Sequence, residues 1–88
     1  MRKKITVVRD KSGLHARPAA CIMKEAKKYK SSVMIRHGDQ ECSAKSLLAI
    51  LGMGIGYGEK IQVICDGPDE SEALEALTGL LETPGSSE

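Results

Sequence analysis

The 88-residue chain has no tryptophan and no phenylalanine, and Tyr29 and Tyr57 are its only tyrosines. Nucleobase recognition by stacking needs several rings on one surface, so an RNA-binding platform of that kind is excluded. Long apolar runs are also missing. The most apolar stretch, Ser46 to Ile55, is short and broken by glycines, too little to span a bilayer. No signal-peptide core follows the basic start, so the expected location is the cytoplasm, without membrane insertion. The three cysteines, Cys21, Cys42 and Cys65, form no Cys-x-x-Cys pair and have no histidine at a zinc-ligand interval. The expectation is reduced, mostly buried thiols, with no metal and no cofactor. The glycine-rich run Gly52-Met53-Gly54-Ile55-Gly56-Tyr57-Gly58 is followed by Glu59 rather than Lys-Ser/Thr, and it lacks the Gly-x-Gly-x-x-Gly spacing. It reads as a connection, not a nucleotide loop.

What is present describes one small domain. A chain this short has room for a single core, and 41% hydrophobic with 28% charged residues is an ordinary globular balance. The domain is expected over residues 1–82. The tail, Thr83-Pro84-Gly85-Ser86-Ser87-Glu88, has no periodicity and is expected to fray. Charge is unevenly distributed although the net is only +1: Met1 to Arg36 holds 11 Lys+Arg against 2 acids, and the remainder holds 2 against 10. A basic face of this origin would attract an acidic protein or a phosphorylated ligand, and nucleic acid is the competing partner.

Hydrophobic periodicity gives the element order. Lys4 to Arg9 is short and β-branched, and reads as a first strand ending in the loop Asp10-Lys11-Ser12-Gly13. Ala19 to Tyr29 carries Ala19, Ile22, Met23 and Ala26 at helical spacing behind Pro18, with Lys24, Lys27 and Lys28 mostly elsewhere. Ser32 to His37, the Gly38-Asp39 turn and Gln40 to Ser43 predict a hairpin. Ser46 stands before Leu47 to Leu51 as the N-cap of a short helix closed by Gly52. Lys60 to Asp66 alternates as a half-buried strand, and Gly67-Pro68-Asp69 turns into a helix over Glu70 to Glu82 with Ala73, Leu74, Leu77, Leu80 and Leu81 as its inner stripe. The order β-α-β-β-α-β-α predicts an α+β fold: a four-stranded, mainly antiparallel sheet with helices on one face.

His15 is the residue with chemistry to offer. It precedes a helix whose first turn contains Pro18, where unsatisfied amides and the positive end of the helix dipole converge on an anion. An imidazole nitrogen is nucleophilic near neutral pH, and the guanidinium of Arg17 presents a planar donor fork to phosphate oxygens. That combination is a cradle for phosphohistidine. The plainer alternative is a surface histidine beside a solvated arginine. A noncatalytic module for RNA or an acidic protein remains open on the same grounds.

Two segments add a resemblance. Gly13-Leu14-His15-Ala16-Arg17-Pro18-Ala19, followed in register by Ala44-Lys45-Ser46-Leu47-Leu48, resembles the signature segments of the HPr family over residues 3–82. These are the histidine-containing phosphocarriers of the bacterial phosphoenolpyruvate-dependent sugar phosphotransferase system. The resemblance implies an open-faced β-sandwich with three helices over the sheet. It implies phosphorylation of His15 on Nδ1 by enzyme I, onward transfer to sugar-specific EIIA proteins, and stabilisation of the phosphoryl group by Arg17. Ser46 matches the serine phosphorylated in Gram-positive members by an HPr kinase/phosphorylase, which creates a ligand for a catabolite-control repressor. Ala20, Lys24, Lys27, Leu47, Leu48 and Leu51 fall where partners dock, although the leucines also suit a small satellite core and the lysines a solvated face. Departures include Ala20 where threonine is frequent and Gly52 where Gram-positive members often have serine. A paralogue in a nitrogen-related or purely regulatory branch is the alternative within the fold; regulatory homologues that cannot carry phosphate lack the histidine.

Overall fold

Alternation in Lys60 to Asp66 puts Ile61, Val63 and Cys65 on one side of an extended chain, and the same period in Ser32 to His37 does so for Val33 and Ile35. In the computed structural model, which describes residues 1–82, these side chains form the floor of the core. The elements are β1 (Arg2–Val7), α1 (Ala16–Ala26), β2 (Ser32–His37), β3 (Gln40–Ser43), α2 (Leu47–Gly52), β4 (Lys60–Asp66) and α3 (Glu70–Glu82). The strand order is β1-β4-β2-β3, and every neighbouring pair is antiparallel. This is the α+β architecture that the element order predicts. The family's open-faced sandwich follows from it, with Ile5 on the outer side of β1 and 63% exposed.

Three boundaries differ from the sequence expectation. β1 begins two residues earlier because seven-residue β4 supplies partners for Arg2 (Cys65) and Lys3 (Ile64), whatever their side chains. It ends at Val7; Val8 pairs with the connection before β4 instead, its amide donating to Glu59 at 3.1 Å and its carbonyl accepting from Gly58 at 2.9 Å. α1 starts at Ala16, three residues early, since Ala16, Arg17 and Pro18 occupy its first turn, where the N–H that proline lacks has no intrahelical partner to lose. It also stops at Ala26. Lys28 and Tyr29 then bond three residues back, to Glu25 and Ala26, and the chain tightens out of the α-helix.

The core gathers Ala19, Ile22 and Ala26 from α1, Ile50 from α2, and Ala73, Leu77 and Leu81 from α3 over the sheet. Two expected members of the α3 stripe shift. Leu80 is 40% exposed and Leu74 is half-buried, while Thr78 is buried with its hydroxyl donating to the Leu74 carbonyl at 2.8 Å. Satisfying that hydroxyl within the helix lets a polar residue take an inward position. The expectation of mostly buried thiols also needs correction, since Cys21 is exposed on α1, Cys42 is intermediate and only Cys65 is buried. Burial raises the pKa of both Cys42 and Cys65, so these thiols stay protonated. The expected tail, residues 83–88, lies outside the described residues.

Candidate functional site

The loop after β1 sets His15 in place. The Asp10 carbonyl accepts from the Gly13 amide at 2.8 Å, closing a turn that puts Gly13 at φ +75°. A Cβ there would sit 2.7 Å from the Ile55 carbonyl oxygen, so the close approach and the backbone angle both call for glycine. Leu14 is buried, and its amide donates to that Ile55 carbonyl at 2.9 Å. The glycine-rich connection therefore anchors the residue before His15.

His15 is the N-cap of α1. Its backbone is extended (φ −85°, ψ −169°), and its carbonyl accepts the first helical bond from Ala19 at 2.9 Å. Its side chain makes no capping hydrogen bond, and 47% of it is exposed. The amides of Ala16 and Arg17 belong to the first turn and have no acceptor within the helix, and Pro18 has no N–H to place. Two main-chain donors and the dipole end thus stand beside a free imidazole. Arg17 is exposed and meets no carboxylate within 4.0 Å among the described residues, which leaves its fork for an anion.

Ser46 is the N-cap of α2, its Oγ accepting from the Ala49 amide at 3.3 Å. α1 and α2 pack against each other, so both caps belong to one helical layer, but no hydrogen bond or ion pair joins Ser46 to His15 or Arg17. Of the expected docking residues, Leu48 is 82% exposed and Leu51 36%, while Leu47 is half-buried against the core and Ile50 is the buried anchor of the helix. Lys24 on α1 and Lys27, its C-cap, are exposed, and Ala20 is half-buried.

One residue beside His15 carries no functional signal in the sequence reading. Asp10 holds Oδ1 4.0 Å from His15 Nε2, and the same oxygen accepts from the Ser12 amide at 2.9 Å. The pattern Asp-x-x-Gly ahead of a histidine marks the turn, but only the folded loop shows where the carboxylate points.

Comparison with known proteins decides the family. The model described as "PTS HPr component phosphorylation site" matches residues 2–83, nearly the whole chain. The chain belongs to the HPr family. The phosphocarrier protein HPr of Haloferax volcanii is 37% identical over 86 residues, covering 96% of each chain. The HPr-like protein Crh of Halalkalibacterium halodurans is 39% identical over 82 residues, covering 93% of this chain and 98% of its own. The crystal structure of HPr-C-His from Thermoanaerobacter tengcongensis superposes with a TM-score of 0.90 at 34% identity, covering 93% of this chain and 92% of that one. Among the described residues no helix is long and apolar enough to cross a membrane, and no group of three His, Cys, Asp or Glu side chains could hold a metal ion.

Proposed function

We propose that this HPr-family chain is a cytoplasmic phosphocarrier that takes a phosphoryl group from enzyme I on His15 Nδ1 and passes it to EIIA proteins. The observation that carries this reading is the uncapped, half-exposed imidazole of His15 at the start of α1, beside the free first-turn amides of Ala16 and Arg17. Phosphoryl transfer needs its group positioned and its charge spread, and those amides with the Arg17 guanidinium do both. Solvent keeps the hold moderate, which a carrier requires, because tight binding would halt onward transfer.

Leu48 and Leu51, with Lys24 and Lys27 on the neighbouring helix, supply an apolar patch and a basic border on which acidic partners dock. Ser46 has a second role as the target of an HPr kinase/phosphorylase. A phosphate there adds close to two negative charges to the docking face, weakening exchange with enzyme I and presenting a ligand to a catabolite-control repressor. The likeness to Crh supports that regulatory branch, and His15 supports a carrier role beside it.

The test is a chase. Enzyme I and radiolabelled phosphoenolpyruvate load the chain, and an unlabelled EIIA protein is then added. Label should appear on the chain and move to EIIA. A chain that never takes label refutes the proposal, and one that takes it without release refutes the carrier role.

A further inference from the structure

A neutral imidazole has one N–H and one lone pair, and its neighbours decide which nitrogen has which. At His15 the placement is uneven. The Asp10 carboxylate is 21% exposed against 47% for the imidazole, and its Oδ1 lies 4.0 Å from Nε2. Asp10 is itself held: Oδ1 accepts from the Ser12 amide at 2.9 Å and its carbonyl accepts from Gly13 at 2.8 Å, so the acid is pinned by its own turn. No other carboxylate comes within 4.0 Å of His15 among the described residues. Separations of this kind in an unloaded site commonly shorten when the reacting group arrives.

Resting on the carrier reading of His15, we propose that Asp10 is a positioning residue that keeps the imidazole proton on Nε2 and so leaves the lone pair on Nδ1. In the forward step that pair forms the Nδ1–P bond, and the bond from phosphorus to the phosphorylated donor breaks with its electrons returning to the donor. The ring becomes a cation with its proton still on Nε2, facing the Asp10 charge. Onward transfer returns the N–P pair to Nδ1, and no proton enters or leaves. The same carboxylate repels the phosphoryl oxygens, but they lie beyond Nδ1 while the Nε2 proton faces it directly. Attraction therefore acts over the shorter distance.

The test separates charge from turn geometry. Asp10→Asn keeps an oxygen for the Ser12 amide and removes the charge, Asp10→Glu restores a carboxylate one methylene further out, and Asp10→Ala removes both. Nitrogen-15 chemical shifts of His15 at alkaline pH report its tautomer, with His37, whose Nε2 lies 2.5 Å from Glu59 Oε1, as internal reference. The wild type should be mainly Nε2–H. In Asp10→Asn the ratio should move toward Nδ1–H by about fivefold, the scale of one partly exposed charge pair, with a similar fall in the rate of labelling. Asp10→Glu should recover part of both. An unchanged tautomer ratio in Asp10→Asn overturns the proposal, as does a slower rate without a tautomer change. Failure of the wild type to take label refutes the carrier reading instead, and leaves the tautomer measurement to judge Asp10.

Discussion

Asp69 joins the connection after α1 to the start of α3. Its carboxylate accepts from the Ser31 hydroxyl and from the Lys30 and Ser31 amides, both at 2.9 Å, while its carbonyl accepts the first bond of α3 from Ala73. The Ser31 hydroxyl first, then the backbone donors, hold its pKa down to about 2 from 3.8. A carboxylate depressed in the folded chain contributes stability that is complete above its unfolded pKa and is lost as pH falls through the folded one. Asp69→Asn should therefore melt several degrees lower than wild type at neutral pH. The gap should narrow below pH 3.8 and close near pH 2. Thermal melts across that range check this, and a gap independent of pH would contradict it. Gly67 tightens the same joint, since a Cβ there would meet Ser31 Cα at 2.6 Å.

At the scale of elements, α2 shows how a six-residue helix divides its work. Ile50 is fully buried, Leu47 leans on the core, and Leu48 stands 82% exposed. Water-facing leucine contributes little to folding, so Leu48→Asp should change unfolding free energy by no more than about 0.5 kcal/mol. The same change puts a negative charge on the face proposed for docking and should weaken enzyme I binding at least tenfold, measured by calorimetry. Loss of stability with intact binding would place Leu48 in the core instead.

The legible and illegible parts of the sequence divide along similar lines. The strands Ser32–His37 and Lys60–Asp66 and helix α3 stand where alternation and helical spacing put them, because each buries a face with one period, and Gln40–Ser43 follows from the Gly38-Asp39 turn that pairs it with its neighbour. At the start of α1 hydrophobic periodicity begins only at Ala19, and it was Pro18 as a first-turn residue that put the helix directly after His15. Thr78 is buried where Leu80 was expected to be, because an internal hydrogen bond, invisible to hydropathy, satisfies the threonine. At the site, local order alone left His15 and Arg17 as well suited to a plain surface pair and Ser46 to a plain helix cap, and the resemblance of their two segments singled them out. Asp10 was not singled out, because its meaning lies in where a turn aims one oxygen.

Across the whole molecule the charge division of the chain becomes a division of helices. α1 carries Arg17 and Lys24 and is followed directly by Lys27 and Lys28, and α3, packed beside it, carries Glu70, Glu72, Glu75 and Glu82. Among the described residues only Lys28 of these cations is paired with a carboxylate, Glu25 at 3.1 Å. A dipolar surface of this kind orients an acidic partner before contact, over a screening length of about 30 Å at 0.01 M salt and about 10 Å at 0.1 M. Association with enzyme I should thus slow by roughly tenfold or more between those salt concentrations, while onward chemistry within the complex changes little. Stopped-flow binding at several ionic strengths reads this, and a salt-independent rate would show that the charge division steers no partner.

All of these scales serve one claim, that the imidazole at the head of α1 is where the phosphoryl group rests. The direct measurement is labelling by enzyme I and radiolabelled phosphoenolpyruvate of the wild type beside His15→Ala, with the product tested in acid and in base. His15 is half-exposed and caps α1 without a side-chain bond, so His15→Ala should fold as wild type does. An acid-labile, base-stable label should appear on the wild type and none on the variant. Label retained by His15→Ala, or an unlabelled wild type, would contradict that claim.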